Sequence, residues 1–412
     1  MTSHSRARIL TVALLVSLSM AAVGIRPADA SPPGLKAHPP ILIDGPYAFT
    51  SANGVTSGSG TAKDPYTIQG WSIDASTANG IEIRNIPNYN PNPPAYFVIR
   101  NVFIHSNNSN NGVVLNSVSS PPYCPFSCPY NGVIANSTIA QTANGISIIN
   151  SNQILISSVT IHNAQTGVNC VNSIFLQFNT DMITDSGTGV SLHCAVTNVF
   201  YNRILDSDNG IVIGNYGSID IEHNYIASPR GVALLGGGDT IVANNQIIGA
   251  AGPTVALYQY GIHMIAADTT SINSNNITNT GPTQSQSAPA GIKIDGCPTD
   301  PVTGQTNPCY TTITGNTLSV GNATGIAAYS ANGVQVYHNN FLKNLVQAFD
   351  QTGQNAWDNG YPSGGNFWSD YPGVDDCSGP QQNICPSPDG IGDTPYAFNY
   401  NQDRYPLMTR VQ

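Results

Sequence analysis

A short glycine-containing motif recurs along most of the chain and limits the folds that it can adopt. The motif is a polar residue, a glycine and then alternating apolar residues, as in Asn144-Gly145-Ile146-Ser147-Ile148. The four intervals from Gly145 to Gly231 are 22, 22, 21 and 21 residues. A fixed period of this length is typical of solenoid proteins, in which each repeat packs on its neighbours. The motif glycines are Gly80, Gly112, Gly145, Gly167, Gly189, Gly210, Gly231, Gly261, Gly291 and Gly325.

Within each repeat, two or three short runs of alternating apolar and polar residues are separated by Asn and Gly. This alternation is typical of strands with one buried face. We therefore predict an all-β fold, a right-handed parallel β-helix solenoid of about ten coils. The competing leucine-rich solenoid needs a consensus that the sequence lacks. We expect the motif glycine to adopt the positive φ of a tight corner, and stacked asparagines to satisfy one another's amides.

The ends of the chain differ from the repeats. Arg6 and Arg8 precede an apolar stretch, residues 9–23, and Ala28-Asp29-Ala30 follows as a small-residue cleavage site. This pattern predicts a signal peptide cleaved near Ala30 and a secreted protein, either extracellular or periplasmic. The expected organisation is a signal peptide at 1–30, an N-terminal cap at 31–78, the β-helix at 79–348 and a C-terminal cap at 349–412.

The charge balance argues against several partners. The formal net charge is −10, and removing Arg6, Arg8, Arg26 and Asp29 with the signal peptide changes it to −12. Such an acidic surface does not favour nucleic acid or anionic lipid. After the signal peptide, the sequence has no apolar run long enough for a membrane-spanning helix.

The eight cysteines fit an oxidising compartment. Three pairs each lie within one proline-rich insertion, which favours local disulfides; the remaining two cysteines are about one coil apart and are placed to meet between stacked turns. These four pairs are Cys124/Cys128, Cys297/Cys309, Cys377/Cys385 and Cys170/Cys194.

A pair of carboxylates is the best candidate for chemistry. Asp185 and Asp206 each precede a motif glycine by four residues, so stacked coils are expected to place them about 5 Å apart. Retaining glycosidases use this separation. Asp181 and Asp208 are expected nearby as ligand-binding residues, and Arg203 is the basic residue nearest in register. The alternatives are that aspartate is a favoured turn residue here, or that a cation bridges the pair.

The sequence bears on two kinds of metal site, calcium and copper. Five aspartates gather among glycines near the C-terminus, and hard oxygen ligands of this kind suit Ca²⁺; the alternative is an acidic cap without metal. Copper is not favoured, because the histidines lie at different offsets from the motif glycines and methionine is scarce. The candidate calcium ligands are Asp370, Asp375, Asp376, Asp389 and Asp393.

Both ends of the repeat region carry family-specific sequence. The segment Gly58-Ser59-Gly60-Thr61-Ala62-Lys63-Asp64-Pro65-Tyr66, the run from Asn355 to Tyr371 and Asp389-Gly390-Ile391-Gly392-Asp393 resemble NosD-like β-helix proteins. The family is similar to the repeat domain of carbohydrate-binding proteins and sugar hydrolases. Its founding member is described as a periplasmic copper-binding accessory of nitrous oxide reductase.

The sequence therefore favours a secreted or surface β-helix protein that is not an enzyme and that binds a polysaccharide or cell-surface glycan along a lateral groove. One alternative is a polysaccharide hydrolase or lyase that uses the stacked aspartates. The other is a copper-delivery accessory like the family's namesake.

Overall fold

Short parallel strands make up most of the described chain, so the all-β prediction is confirmed. A computed structural model describes residues 32–87, 95–119, 129–214, 217–236, 238–255, 257–266, 268–279, 288–299, 303 and 306–412. Within these ranges the only helices are two 3₁₀ turns, Pro46–Ala48 and Ser51–Asn53. The strands stack into three parallel ladders, one rung per coil, which is the predicted parallel β-helix.

The first ladder is a 13-stranded parallel sheet. Its register follows the repeat, so that Thr160 pairs with Met182 and Met182 with Arg203. In most rungs an inward-pointing residue lies in the middle of the strand, and most of these are isoleucines such as Ile161 and Ile183, which are almost fully buried. Its strands are Lys36–His38, Trp71–Asp74, Phe103–His105, Thr138–Ala140, Thr160–His162, Met182–Thr184, Arg203–Leu205, Tyr225–Ala227, Gln246–Gly249, Asn276–Asn279, Thr317–Ser319, Asn340–Phe341 and Phe367–Trp368.

The second ladder, here called the glycine ladder, contains eight of the ten motif glycines, and Gly80 and Gly112 directly precede its strands. The residue after each glycine pairs with its counterpart one coil later, from Ile81 with Val113 through to Ile292 with Ile326. The ladder extends by one strand at each end. Its strands are Ile41–Asp44, Ile81–Ile86, Val113–Val118, Asn144–Ile149, Thr166–Asn179, Thr188–Phe200, Asn209–Ile213, Arg230–Leu235, Tyr260–Ile265, Ala290–Asp295, Thr324–Tyr329 and Val346–Asp350.

The third ladder joins the glycine ladder, because Thr166–Asn179 and Thr188–Phe200 run through both. Together with the antiparallel strand Val55–Ser57 they form one 22-stranded sheet. A separate hairpin consists of Tyr396–Phe398 and Asn401–Asp403. The other strands of the third ladder are Tyr66–Gln69, Phe97–Arg100, Gly132–Ala135, Asn152–Ser157, Ile219–Glu222, Thr240–Ala243, Thr270–Asn273, Thr312–Thr314 and Gln335–Tyr337.

The expected role of the motif glycines is wrong. All ten are described, and none has a positive φ. The reason for glycine is space: a Cβ on Gly145 would lie 2.6 Å from the Gly167 carbonyl oxygen and 2.6 Å from Ile161 Cγ2. Positive φ values occur instead at non-glycine corner residues such as Asn163 (55°). Each motif glycine thus lies where the backbone closely approaches both the next coil and a side chain of the first ladder.

A buried column of asparagines runs along the corner before the first ladder, as predicted. Asn224 donates from its backbone N–H and from Nδ2 to Asn245 Oδ1, at 2.9 and 3.0 Å. The same pattern links each member to the next, so every amide satisfies its neighbour. The column consists of Asn202, Asn224, Asn245, Asn275, Asn316, Asn339 and Asn366, with Asp181 at its start and Asp403 at its end.

Aromatic side chains close the C-terminal end of the core. Trp368 is buried and stacks between Phe341 and Tyr396, with ring centroids 4.1 and 4.3 Å apart. Its Nε1 donates to Asp403 at 2.9 Å. At the other end, parallel strands continue the ladders into the segment predicted as an N-terminal cap. The boundaries at 78 and 348 remain predictions, and residues 1–30 lie outside the described residues.

Candidate functional site

The two predicted catalytic aspartates occupy stacked corners after the first ladder. Asp185 and Asp206 each follow a rung directly, and Thr184 pairs with Leu205 in register. Both are exposed and have positive φ values of 52° and 50°. Among the described residues, no hydrogen bond or ion pair involves either carboxylate. Because aspartate tolerates left-handed backbone, the same placement also fits the turn alternative.

Arg203 lies on the outward face of the first ladder, three residues before Asp206 on the same coil. Its guanidinium lies 4.7 Å from the centroid of the Tyr225 ring. Next to it at the preceding corner, exposed Tyr201 stacks on His223 with centroids 4.9 Å apart. The structure therefore places Arg203 within a row of rings.

Asp181 and Asp208 do not join the exposed pair, because both are buried. Burial raises the pKa of Asp181 to about 7, although the Val159 N–H donates to its Oδ1 at 2.8 Å and opposes that shift. Its Oδ2 has no partner among the described groups. Asp181 thus sits at the start of the asparagine column as a carboxyl in an amide position.

Asp208 holds Thr254 and Val255, in the insertion that begins at residue 251. It accepts hydrogen bonds from the N–H groups of Thr254 and Val255, at 2.7 and 2.8 Å, and from the Thr254 hydroxyl. Burial alone would raise the pKa of Asp208, but these hydrogen bonds outweigh burial and lower it. The carboxylate is therefore a structural anchor in this arrangement.

Three of the predicted calcium ligands, Asp375, Asp389 and Asp393, accept hydrogen bonds from nearby N–H groups. Asp375 accepts from the N–H groups of Asp389 and Gly390, at 3.0 and 2.7 Å. Asp393 accepts from the N–H of Asp376 at 3.0 Å. These carboxylates brace the loops that carry them.

The fifth predicted ligand, Asp370, lies apart from that bracing. It accepts from Tyr396 Oη at 3.1 Å and from Gln347 Nε2 at 2.9 Å. Across the described ranges, no three His, Cys, Asp or Glu side chains converge in a way that fits a metal ion. The calcium prediction consequently rests on the sequence pattern, and the arrangement does not add to it.

Three of the predicted disulfides are confirmed. Cys170–Cys194 links adjacent coils inside the core, with a Cα–Cα distance of 6.0 Å. Cys297–Cys309 and Cys377–Cys385 close their own insertions. Cys124 and Cys128 lie outside the described residues.

A cluster that the sequence reasoning missed lies on the outward face of the glycine ladder. His263 Nε2 and Lys293 Nζ both contact Asp295 Oδ2, at 2.7 and 2.9 Å. Lys293 Nζ also lies 5.6 Å from the centroid of the Tyr329 ring. We call His263, Lys293, Asp295 and Tyr329 the lateral cluster. The exposed fraction of its polar side chains is small: 13% for His263, 21% for Lys293 and 32% for Asp295.

The register of the glycine ladder explains why these four side chains meet. His263 pairs with Lys293, and Asp295 pairs with Tyr329, on successive coils. All four stand two or four residues after a motif glycine, where strand alternation points them outward. That shared offset from the motif glycine is the sequence signal that identifies the cluster.

The electrostatics of the lateral cluster keep its imidazole neutral. Burial lowers the pKa of His263; Asp295 opposes this and Lys293 reinforces it. The Tyr260 ring packs against His263 with centroids 4.8 Å apart. A neutral imidazole with one ring nitrogen on a carboxylate has a fixed tautomer, with the proton on Nε2.

Insertions border the lateral cluster on both edges of its face. Residues 251–255 and 257–259 lie between the first ladder and the glycine ladder in the chain, and Tyr258 donates its hydroxyl to the Ala290 carbonyl at 2.9 Å. Arg230 Nε extends that edge by donating to Gln259 Oε1 at 2.8 Å. The disulfide-closed insertion at Cys297–Cys309 follows the strand that carries Asp295. The cluster thus lies on an outward strand face between two insertions.

Comparison with known proteins agrees with the fold and the sequence motifs. The profile of a family described as periplasmic copper-binding protein (NosD) matches residues 177–373. Over these residues the chain resembles NosD-like parallel β-helix proteins. Three disulfides and this family match fit a periplasmic or extracellular location. No curated protein matches the NosD-like chain.

Several solved structures resemble the NosD-like chain. The A-module of mannuronan C-5 epimerase AlgE4 from Azotobacter vinelandii is 13% identical with a TM-score of 0.45, covering 71% of this chain and 90% of that one. The AlgE6 A-module from the same organism is 13% identical with a TM-score of 0.41, covering 78% and 88%. Alginate lyase from Paenibacillus sp. str. FPU-7 is 11% identical with a TM-score of 0.32, covering 77% and 99%.

Two further observations bear on the family's description. A copper site needs several converging imidazole or sulfur ligands. In the described part of the NosD-like chain, His263 is bonded to Asp295, and His223 stacks on Tyr201. Among the described residues, no histidine comes together with two further His, Cys, Asp or Glu side chains in a way that would hold a metal ion. Among the same residues, no helix is long and apolar enough to cross a membrane.

Proposed function

We propose that this NosD-like protein is exported after cleavage near Ala30 and binds a glycan over the lateral cluster of the glycine ladder. The observation that supports this proposal is the lateral cluster, where charged and aromatic side chains face outward between two insertions. Carbohydrate sites combine hydrogen-bonding groups with rings that cover the apolar faces of sugars. Tyr329 continues onto Phe349 with centroids 5.1 Å apart, so rings extend along this face.

The face is built from rigid strands. Each outward side chain is held by a rung whose inward neighbours, such as Ile262, Met264 and Ile294, are fully buried. Sites carried on regular elements hold their geometry better than sites on loops. A long polymer fits such a surface because equivalent positions repeat along the solenoid axis.

The test is binding of the purified protein to a panel of neutral and acidic polysaccharides, measured by isothermal titration calorimetry. Tyr329→Ala and Lys293→Ala are expected to weaken binding tenfold or more. Asn169→Ala is the matched control, because Asn169 faces outward on the same ladder several coils away. Failure to bind any polysaccharide, or equal loss in the control, would contradict the proposal.

A second candidate function is polysaccharide hydrolysis by Asp185 and Asp206. Their stacked, exposed corners favour it, as does the absence of any described partner for either carboxylate. Asp206→Asn is expected to abolish the release of reducing ends. Unchanged release in that variant would remove the assignment.

A further inference from the structure

We infer that the lateral cluster is an acid–base site that cleaves uronate-containing glycans by β-elimination, with His263 as the base. This inference rests on the proposed glycan binding and adds a reaction and a substrate class. It starts from the shared contact at Asp295 Oδ2, which brings the imidazole and the ammonium group side by side.

The hydrogen bond to Asp295 orients His263. Because Nε2 donates to the carboxylate at 2.7 Å, Nδ1 carries the free lone pair. Among the described residues, none forms a hydrogen bond with Nδ1. A neutral, oriented imidazole beside a carboxylate is the usual arrangement of a general base.

Lys293 supplies the complementary charge. Proton removal from a carbon next to a carboxylate places negative charge on that carboxylate, and a neighbouring cation stabilises it in the transition state. Lys293 lies one coil from His263 in direct register. The pair therefore suits a substrate whose acidic C–H bond adjoins a carboxylate, which in a glycan is C5 of a uronate.

The proposed elimination removes the C5 proton and expels O4. His263 Nδ1 takes the proton from C5 of a 4-linked uronate, and the C5–H electron pair forms the C4–C5 double bond. The C4–O4 bond breaks, O4 leaves as the hydroxyl of the new chain end after taking a proton from water, and the imidazolium returns its proton to solvent. No oxidant, reductant or other co-reactant is needed.

The experiment incubates the purified protein with polygalacturonate, polyglucuronate and polymannuronate. Unsaturated sugar ends are followed by ultraviolet absorbance and mass spectrometry, and binding is measured in parallel. His263→Asn is expected to lower the rate of product formation about 10²-fold or more. Its binding is expected to stay within a few-fold of the parent. Lys293→Met is expected to lower the rate similarly, and Asn169→Ala is expected to leave it unchanged.

The outcomes separate the two proposals. Binding without any unsaturated product overturns the acid–base inference and leaves glycan binding standing. Saturated products from hydrolysis also overturn it, as does a His263→Asn variant of full activity. No binding to any of the three polymers, or to neutral polysaccharides, overturns both. Urea denaturation of each variant separates lost folding from lost chemistry.

Discussion

Single residues decide how the asparagine column begins and ends. Asp403 closes it with three N–H donors, from Asn366, Trp368 and Tyr405. Asp181 opens it with one donor and an unpartnered Oδ2. The two ends are chemically alike but differ in hydrogen bonding, so only Asp181 is expected to act as a weak point.

Replacing Asp181 by asparagine is expected to stabilise the protein by about 2 kcal/mol at pH 8. The amide would donate to the preceding coil as Asn202 does to the Phe178 carbonyl, and no buried charge would remain. The measurement is the free energy of unfolding in urea. Asp185→Asn is the control, because Asp185 is exposed and is expected to show no change.

The Asp181 effect has a defined pH dependence. The pKa of Asp181 is raised from 3.8 to about 7 in the folded protein, so folding favours its protonated form. The stability that the parent draws from Asp181 is complete below about pH 4 and is lost as pH rises through 7. The advantage of Asp181→Asn is therefore expected to shrink between pH 8 and pH 4. An advantage independent of pH would contradict this account.

The motif glycines are the second feature at this scale. A Cβ on Gly189 would lie 2.5 Å from Ile204 Cγ2 and 2.6 Å from the Gly210 carbonyl. Gly189→Ala is expected to destabilise the protein by about 3 kcal/mol, the upper part of the range for overpacking. Gly70→Ala is the control, since its Cβ meets nothing within 4 Å and costs only the positive φ of 78°. Equal losses of unfolding free energy in the two variants would refute the close-approach explanation.

At the scale of elements, the sequence was sufficient to predict a feature wherever the same residue pattern occurs in every coil. The motif spacing predicted the glycine ladder, and the Asn-rich corners predicted the asparagine column. The insertions were located but not their packing, because each occurs once and follows no repeat. Asp208 shows the difference: it was expected as a ligand-binding residue, and its bonds to Thr254 became visible only in three dimensions.

Asp208→Ala is expected to loosen residues 251–255 without unfolding the coils. The variant removes the acceptor of the Thr254 and Val255 N–H groups, so their hydrogen exchange is expected to accelerate about tenfold or more, measured by mass spectrometry. The first-ladder strand Arg203–Leu205 serves as the internal reference. Exchange that rises equally in that strand would indicate global destabilisation and contradict a local anchor.

For the whole molecule, the ladders bring together residues that the sequence keeps about one coil apart. His263, Lys293 and Tyr329 are separated by 30 or more residues yet form one cluster, because equivalent offsets from the motif glycine stack. The sequence contained the offsets, and their significance depended on knowing which face the insertions border. The scaffold was therefore predictable from periodicity, whereas the position of the lateral cluster beside the insertions depended on packing between elements.

The central proposal for this protein is that a glycan binds over the lateral cluster. The most direct measurement is a crystal structure of the protein with an acidic oligosaccharide. We expect sugar density over His263, Lys293 and Tyr329, with a uronate carboxylate near Lys293 Nζ. Sugar density confined to the first-ladder face around Arg203 and Asp206 would contradict the claim and favour the hydrolase alternative.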